Sequence, residues 1–252
     1  MISRALVITV AGTSSRFRKS LGKDVLKATY QENGLPSILE TLLAYAEGYF
    51  EDIIIVGGYR YEELEDYITK QNLAKNITLV YNAEYERGSN ESLLCGIRAL
   101  SKEYSQVLFA EGDLVIDKAS FISIVNSHSN VITNTTIPIE AKTSVIYYFN
   151  TNDKLKYKYD TEHKSLYIDE PFTSISNSGQ IWKFCDFSVL QRVVNSFTKE
   201  DIDETNLLTV SQYFNSIKYN TIEEIQIQKW FNCNTIDDYR QATEYLQKEN
   251  NA

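Results

Sequence analysis

Short apolar runs alternate with segments of helical periodicity over the first 113 residues. The apolar runs predict buried strands at 6–10, 53–56, 77–81 and 106–110. The spacing of apolar residues between them predicts helices at 37–49, 61–68 and 92–100. Continuous rather than alternating apolar strands are typical of a parallel sheet covered by helices on both faces. Ligands of such sheets bind at the carboxyl ends of the strands. The loops expected along that edge are 11–16, 57–60, 82–92 and 111–113.

The second half of the chain has a different pattern. Short strands separated by Asn, Asp and Thr turns are predicted at 131–136, 143–149, 154–159 and 165–168. Further on, strands are predicted at 179–184 and 222–230, and helices at 186–197, 205–216 and 236–247. Because no repeat or linker interrupts the sequence, we expect one domain over 1–252. Its parts are a first half at 1–115, an antiparallel β insertion or lid at 130–170, and a return to the core at 175–252.

Composition and charge exclude several classes of protein. The 252 residues include 25 basic and 34 acidic residues, a net charge of -9, and no basic block, which argues against non-specific nucleic-acid binding. Three Cys without paired spacing and two His argue against a disulfide scaffold and a Cys or His metal centre. No apolar run approaches the ~20 residues of a membrane span, and the N-terminus does not resemble a signal peptide. We therefore expect a cytoplasmic protein; its oligomeric state is not indicated.

The loop after the first strand carries candidate phosphate-binding chemistry. Small residues let backbone N–H groups approach a polyphosphate, and hydroxyl groups add donors. The residues of this kind are Ala11, Gly12, Thr13, Ser14 and Ser15. Arg16 and Lys23 would supply positive charge. A strand-to-helix turn without a ligand explains the segment equally well. It matches neither a Walker A loop nor a dinucleotide-binding fingerprint.

The same loop opens a series of segments that resemble one family. The segment 11–17 followed by 23–26 is similar to A-G-x-G-S-R-F followed by P-K-x-L-L, the signature of the nucleotidyltransferase (pyrophosphorylase-like) superfamily. Ser14 replaces its second Gly, and Gly22 replaces its Pro. The segment 33–39 resembles the N-G-K-P-L-I that follows.

Further segments of the superfamily follow in order. The segment 53–59 resembles I-I-V-V-x-G-Y, and 82–93 resembles the N-P-x-W/Y-x-x-G-x-x-x-S-L of cytidylyltransferase-like members. Asp113 stands where the superfamily has its strand-end Asp, and 230–239 resembles the closing W-x-x-V-D/N-T-P-E-D-L. The chain is closest to members of the phosphocholine cytidylyltransferase type.

This resemblance implies a fold and a reaction. The fold is α/β, Rossmann-like and of the nucleotide-diphospho-sugar transferase type, with a mostly parallel central sheet flanked by helices. In the reaction, a phosphate or phosphonate oxygen attacks the α-phosphorus of a nucleoside triphosphate and releases pyrophosphate, with Mg²⁺ as cofactor. CTP is the favoured nucleotide, and phosphocholine or a related aminoalkyl phosphate is the leading acceptor. Such products are precursors of cell-surface polysaccharide or phospholipid.

Three other functions stay open. One is a sugar-1-phosphate nucleotidyltransferase that uses UTP or dTTP. Another is a glycosyltransferase of the related fold, although this chain has Glu111-Gly112-Asp113 in place of an Asp-x-Asp motif. The third is a catalytically degenerate nucleotide-binding domain, suggested by Ser14 and by Asn234 where many members have Asp.

The resemblance also implies roles for individual residues. Asp113 is the expected metal ligand, with Asn234 or Asn232 as the second, whereas Glu111 is expected to point to the other face of its strand. Arg16 and Lys23 would neutralise the triphosphate; Arg18, Lys19 or Lys27 could replace Lys23. Asn90 and Ser92 would read the base, or cap the helix that starts near them. Asn177 and Glu170 would bind the acceptor, unless 177–179 is only a tight turn. The tyrosines that could cage an ammonium group, or merely pack the sheet, are Tyr147, Tyr148, Tyr157, Tyr159 and Tyr167.

Overall fold

The computed structural model describes residues 2–71, 76–139, 145–159 and 168–250. The strands are β1 (Arg4–Thr9), β2 (Asp52–Gly57), β3 (Ile77–Tyr81), β4 (Gln106–Glu111), β5 (Leu114–Ile116), β6 (Asn130–Thr135), β7 (Val145–Asn150), β8 (Leu155–Tyr159), β9 (Phe172–Phe184), β10 (Ile222–Ile227) and β11 (Trp230–Asn232). The helices are α1 (Ser15–Leu21), α2 (Ile38–Ala46), α3 (Tyr61–Gln71), α4 (Ser89–Arg98), α5 (Lys118–Asn126), α6 (Phe187–Ser196), α7 (Leu207–Ser216) and α8 (Ile236–Asn250).

The main sheet has the strand order β10-β6-β9-β4-β1-β2-β3. Strand β1 pairs in parallel with β2 and β4, β2 with β3, and β10 with β6. Strand β9 runs antiparallel between β4 and β6. Because parallel neighbours place their carboxyl ends together, the loops after β1, β2 and β4 meet at one edge, as the sequence predicts.

Both faces of this sheet are buried. Residues 5–8 of β1 are completely inaccessible to solvent, and they alternate between two apolar clusters. Helices α4, α6 and α7 contribute to the cluster that contains Val7, whereas α2, α3 and α5 contribute to the one that contains Leu6. Helices α1 and α8 pack together around Phe17 and Tyr239. The predicted α/β class, a mostly parallel sheet flanked by helices, is therefore confirmed.

The predicted insertion is antiparallel and continuous with the main sheet. Strand β7 pairs with β8 on one side and with the first half of β9 on the other. Strand β9 therefore begins at Phe172 rather than near residue 179, because its first half joins β7 and its second half joins β4 and β6. The predicted strand at 165–168 falls almost entirely outside the described residues.

The C-terminal region differs from its prediction at one position. The strand expected at 222–230 is two strands, of which β10 extends the main sheet and β11 pairs with the short strand β5. The break lets β11 cross to the carboxyl end of β4 before α8 begins.

The division into 1–115, 130–170 and 175–252 stays a prediction. Among the described residues, no helix is long and apolar enough to cross a membrane.

Candidate active site

A cleft of about 1170 Å³ lies at the carboxyl ends of β1 and β4. The loop after β1, the turn after β4 and the start of α4 form one part of its wall. Strand β11, the start of α8 and the ends of β7 and β8 form another part. Three of the predicted loops, at 11–16, 82–92 and 111–113, therefore contribute to one site. The loop at 57–60 instead supports the site from behind, since the Tyr59 N–H donates to the Ala11 carbonyl at 3.0 Å.

The phosphate-binding loop has a fixed and locally strained backbone. Ser14 has φ 54°, which lies in the left-handed region that a glycine adopts without a steric penalty. For a residue with a β-carbon this conformation costs about 1 kcal/mol. Arg18 holds the loop, because its Nε donates to the Thr13 carbonyl at 2.9 Å and its guanidinium lies over the Tyr59 ring. Arg18 is also paired with Asp24, so it stabilises the loop instead of facing the cleft.

The positive charges at the cleft come from Arg16 and Lys27. Arg16 is exposed and has no hydrogen-bond or ion-pair partner in the described part of the chain. The Lys27 Nζ lies 2.9 Å from Oδ2 of Asp113, and both side chains are mostly buried. Lys23 is exposed and does not line the cleft, because α1 ends at Gly22 in a left-handed turn that directs the chain away. The structure therefore brings Lys27 to the cleft and not Lys23, and the assignment of a triphosphate-binding role stays a prediction.

Asp113 follows a turn that only glycine can make. The Gly112 N–H donates to the Thr9 carbonyl at 2.9 Å, and a β-carbon on Gly112 would lie 2.3 Å from a methyl group of Val10. This close approach holds Asp113 against the end of β1. Its Oδ2 accepts from Lys27, whereas its Oδ1 is buried and has no hydrogen-bond partner within the described part of the chain. A buried carboxylate oxygen of this kind is available for a cation.

Asn232 presents a second oxygen of the same kind. The antiparallel pairing of β11 with β5 places Asn232 opposite Leu114, and the Cys233 N–H donates to the Asp113 carbonyl at 2.9 Å. The Oδ1 of Asn232 is buried and no described residue donates a hydrogen bond to it. Asn232 lines the cleft, as does Asn234. The described residues contain no group of three or more His, Cys, Asp or Glu side chains that could hold a metal. A cation here would be held by one carboxylate and amide oxygens, with ligand phosphates completing its shell, which suits Mg²⁺.

Glu111 lines the cleft beside Asp113, contrary to the expectation that it points to the other face. Strand alternation does not extend past Glu111, because β4 ends there and the chain turns at Gly112. Asn206 Nδ2 donates to the Glu111 carboxylate at 2.7 Å. Burial and, to a smaller extent, the neighbouring charge of Asp113 raise the pKa of Glu111 well above its usual range, whereas the Asn206 hydrogen bond and the charge of Lys27 oppose the shift.

Of the two candidate base-reading residues, the structure brings only Ser92 to the cleft. Helix α4 begins at Ser89, so Ser92 lies inside the helix and does not cap it. Its Oγ accepts from Asn82 Nδ2 at 3.0 Å, which leaves the hydroxyl proton for a ligand. Asn90 is fully buried away from the cleft. Its amide donates to the Asp201 carbonyl and accepts from the Thr209 hydroxyl, so both amide atoms stabilise the 201–209 segment.

The predicted acceptor-binding residues lie outside the cleft lining. Asn177 is buried and donates to the Ile137 carbonyl at 2.7 Å. Glu170 accepts from the Tyr148 hydroxyl and the Asn150 amide, and these hydrogen bonds lower its pKa. Both side chains therefore have partners within the insertion.

The aromatic cage is not assembled by the tyrosines of the insertion that the structure describes. Tyr147 is buried and donates to Glu224, and the Tyr157 hydroxyl accepts from Trp182 Nε1. Tyr148 is also buried. Tyr159 alone among the described members of the set lines the cleft, and Tyr167 lies outside the described residues.

Gln180 is a cleft residue that the sequence does not single out. It has φ 56° within β9, is 2% exposed and lines the cleft, while its Nε2 has no hydrogen-bond partner in the described ranges of the chain. The left-handed conformation costs about 1 kcal/mol, and an unpaired buried donor costs about 1–3 kcal/mol. The residue pattern gives no signal for either feature, because the bulge that creates them depends on pairing between β9 and β6.

The family model described as a domain of unknown function (DUF6564) matches residues 23–246, which is most of the chain. The chain belongs to the DUF6564 family. The choline-phosphate cytidylyltransferase of Haemophilus influenzae is 23% identical to this DUF6564 protein over 252 residues, covering 95% of this chain and 96% of that one.

Two solved structures share the fold of this DUF6564 protein along nearly their whole length. The inositol-1-phosphate CTP transferase from T. maritima has a TM-score of 0.68 at 12% identity, over 97% of this chain and 96% of that chain. The CTP:phosphocholine cytidylyltransferase from Streptococcus pneumoniae has a TM-score of 0.63 at 16% identity, over 97% and 100%. The resemblance to the nucleotidyltransferase superfamily and to its cytidylyltransferase-like members is thus confirmed, as is the nucleotide-diphospho-sugar transferase type of fold.

Proposed function

We propose that this protein is a Mg²⁺-dependent cytidylyltransferase that transfers CMP from CTP to a phosphorylated small molecule and releases pyrophosphate. The observation that carries the proposal is the composition of one cleft. A Gly/Ser loop, two cationic side chains and two buried, unpartnered oxygens meet there. These are the groups that nucleotidyl transfer needs, because two anionic reactants must be held together while negative charge develops at phosphorus.

The triphosphate would bind across the loop after β1. Backbone N–H groups of 11–14 and the hydroxyl groups of Thr13 and Ser14 would donate to phosphate oxygens. Arg16 is available for a bidentate contact because it has no partner among the described residues. Lys27 would add a point charge at the other side of the loop. These local charges explain how a protein with a net charge of -9 can bind a triphosphate.

The donor set at the end of β4 fits a hard cation. Oδ1 of Asp113 and Oδ1 of Asn232 would hold Mg²⁺, with Asn234 beside them. The burial of its oxygen favours Asn232 over Asn234 as the second protein ligand. When bound, Mg²⁺ would neutralise charge on the phosphates and polarise the α-phosphorus. Arg16 and Lys27 would add positive charge to hold the same phosphates, Lys27 from beside Asp113.

CTP is favoured as the nucleotide because the similar proteins named above use it or make cytidylyl products. Ser92 would contribute a hydroxyl group to the base edge, with Asn82 fixing its orientation. The acceptor would be a phosphorylated small molecule, as choline phosphate and inositol 1-phosphate are by the names of those proteins. The UTP- or dTTP-dependent alternative and the degenerate binding domain are not favoured by these relatives.

The proposal is tested in two stages. The first is the thermal unfolding temperature with Mg²⁺ and, in turn, CTP, UTP, ATP, GTP and dTTP. A ligand at ~100 times its Kd adds about 2.7 kcal/mol of stability, and we expect this shift for CTP. The second is pyrophosphate release from CTP with choline phosphate, inositol 1-phosphate and glycerol 3-phosphate.

A matched pair of variants tests the assigned site. Arg16→Ala should abolish most of the CTP shift, whereas Arg192→Ala removes an exposed arginine of α6 outside the cleft and should leave it unchanged. No shift with any nucleotide, or an equal loss in both variants, contradicts the proposal.

A further inference from the structure

Gln180 occupies a position in the cleft that structural stability alone does not explain. Its side chain is almost fully buried and lines the cleft, yet the Nε2 donor has no hydrogen-bond partner among the residues that the structure describes. Its backbone has a positive φ in the middle of a strand, where residues with a β-carbon are rarely found. Unpaired buried donors and left-handed non-glycine residues concentrate at functional sites, where a ligand satisfies the donor.

The surrounding residues fix this conformation. The Gln180 N–H donates to the Ser178 hydroxyl at 3.1 Å. The Thr133 hydroxyl donates to the Ile181 carbonyl at 2.7 Å and accepts from the Ile181 N–H at 3.2 Å. The residue before Gln180 is also fixed, because Trp230 Nε1 donates to the Gly179 carbonyl at 2.9 Å. The bulge is therefore held from three sides, and the Gln180 side chain is set by the fold before a ligand arrives.

Gly179 makes this arrangement possible. A β-carbon at Gly179 would lie 2.6 Å from Thr133 Oγ1 and 2.7 Å from a methyl group of Ile227. Thr133 can then approach the backbone and replace a regular ladder hydrogen bond. The result is a register shift between β6 and β9 that presents the Gln180 side chain to the cleft.

The position of Gln180 relates it to the reacting groups. Ile181 pairs with Ala110 in the antiparallel register of β9 with β4, so Gln180 lies beside Glu111 at the end of β4. Asp113 is two residues further along. The apolar side chains of Val145 and Leu207 and the Trp230 ring line the same cleft. Gln180 therefore lies beside the strand end that carries the proposed metal site.

Building on the proposed function, we propose that the Gln180 amide is a specificity-determining group that donates a hydrogen bond to a hydroxyl oxygen of the acceptor, and that the acceptor is a polyhydroxylated phosphate ester. A buried N–H donor needs a ligand atom with a lone pair. The trimethylammonium group of choline phosphate offers none, so it would leave the donor unpaired and desolvated. Sites built to hydrogen-bond a substrate hydroxyl discriminate strongly against analogues that lack it.

The test compares Gln180→Met, which keeps an unbranched side chain but removes the amide, with wild type and with Gln191→Met on α6 outside the cleft. Pyrophosphate release from CTP is measured with inositol 1-phosphate, glycerol 3-phosphate and choline phosphate. Wild type should have its highest kcat/KM with a hydroxylated acceptor. Gln180→Met should lower that value at least tenfold while the KM for CTP stays unchanged, and Gln191→Met should behave as wild type.

Protein stability supplies an independent readout. If Nε2 is unpaired in the free protein, Gln180→Met removes an unsatisfied donor, and the unfolding temperature should stay the same or rise. A purely structural glutamine would instead lower the unfolding temperature on substitution and leave the acceptor kinetics unchanged, which overturns the inference.

The kinetic results can overturn it in two further ways. An equal loss with all three acceptors does so, because Gln180 would then contact the shared phosphate. If wild type binds CTP and turns over choline phosphate alone, the proposed function survives and the inference fails. Absence of CTP-dependent pyrophosphate release with every acceptor contradicts both.

Discussion

Lys27 and a divalent cation should compete for Asp113. In the free protein the Lys27 ammonium lies 2.9 Å from Oδ2 of Asp113, with side chains that are 13% and 24% exposed. Replacing Lys27 with Met leaves a mostly buried carboxylate without its counter-charge. We predict that this variant loses stability without Mg²⁺ and that Mg²⁺ restores most of the loss.

The size of the effect follows from the geometry. Two unit charges 2.9 Å apart attract each other by about 6 kcal/mol at an effective dielectric constant of ~20, before the cost of desolvation. Exposed pairs contribute about 0–1 kcal/mol, and breaking a fully buried pair costs about 3–5 kcal/mol. The partial exposure of this pair places the expected loss at about 2–3 kcal/mol. For a chain of this size that corresponds to roughly 4–12 °C in the unfolding temperature.

The assay is calorimetric unfolding in EDTA and in excess Mg²⁺, without nucleotide. Mg²⁺ should raise the unfolding temperature of Lys27→Met by more than it raises that of wild type, because no lysine occupies the carboxylate. Asp113→Asn should not respond to Mg²⁺. Lys102→Met removes an exposed pair with Glu51 and should cost less than 1 kcal/mol, with no Mg²⁺ dependence. Equal Mg²⁺ responses of wild type and Lys27→Met, or full stability of that variant in EDTA, would refute the reasoning.

Three further predictions follow from the same structure. Ser14→Gly removes the backbone strain of a left-handed residue but adds flexibility to the unfolded chain. The free energy of unfolding in urea should therefore rise by at most about 1 kcal/mol. A fall would contradict the presence of strain at Ser14. Asn90→Ala should lose about 2 kcal/mol of stability, because both amide atoms are hydrogen-bonded within the protein, and its CTP affinity should stay unchanged. Ser92→Ala should weaken CTP binding about fivefold in titration calorimetry. The reverse pattern would show that Asn90, and not Ser92, contacts the base. Burial raises the pKa of Tyr157 and of Tyr213 in the folded state. Above pH ~10 the folded protein therefore binds more protons than the unfolded chain, so the free energy of unfolding should fall by about 1.4 kcal/mol per pH unit for each tyrosine. An unfolding midpoint in guanidinium chloride that stays the same from about pH 10 to 11 would contradict this prediction.

The architecture was predictable because its signals are local and repeated. The run 53–56, apolar at every position, can be buried only in a sheet covered on both faces, and it is the centre of β2. Strand β3 agrees with its predicted bounds, Ile77–Tyr81. The long strand β9 was less predictable, since its polar first half at 172–178 is stabilised by β7 rather than by its own hydrophobic pattern.

The candidate site was predictable where a residue type must follow a strand end. Asp113 and the 11–14 loop lie where the topology requires. The choice between Lys23 and Lys27 depends on one left-handed turn at Gly22, which sequence spacing does not specify. Gln180 depends on a bulge made by residues far away in sequence, so it could be found only in the folded chain.

³¹P NMR of CTP with Mg²⁺, acceptor and protein distinguishes nucleotidyl transfer from simple hydrolysis in one experiment. We expect the three CTP signals to be replaced by pyrophosphate and by the two coupled signals of a cytidylyl diphosphate ester, at a rate that Asp113→Asn reduces to background. Formation of CDP and inorganic phosphate, or spectra that stay unchanged with every acceptor, would contradict this expectation.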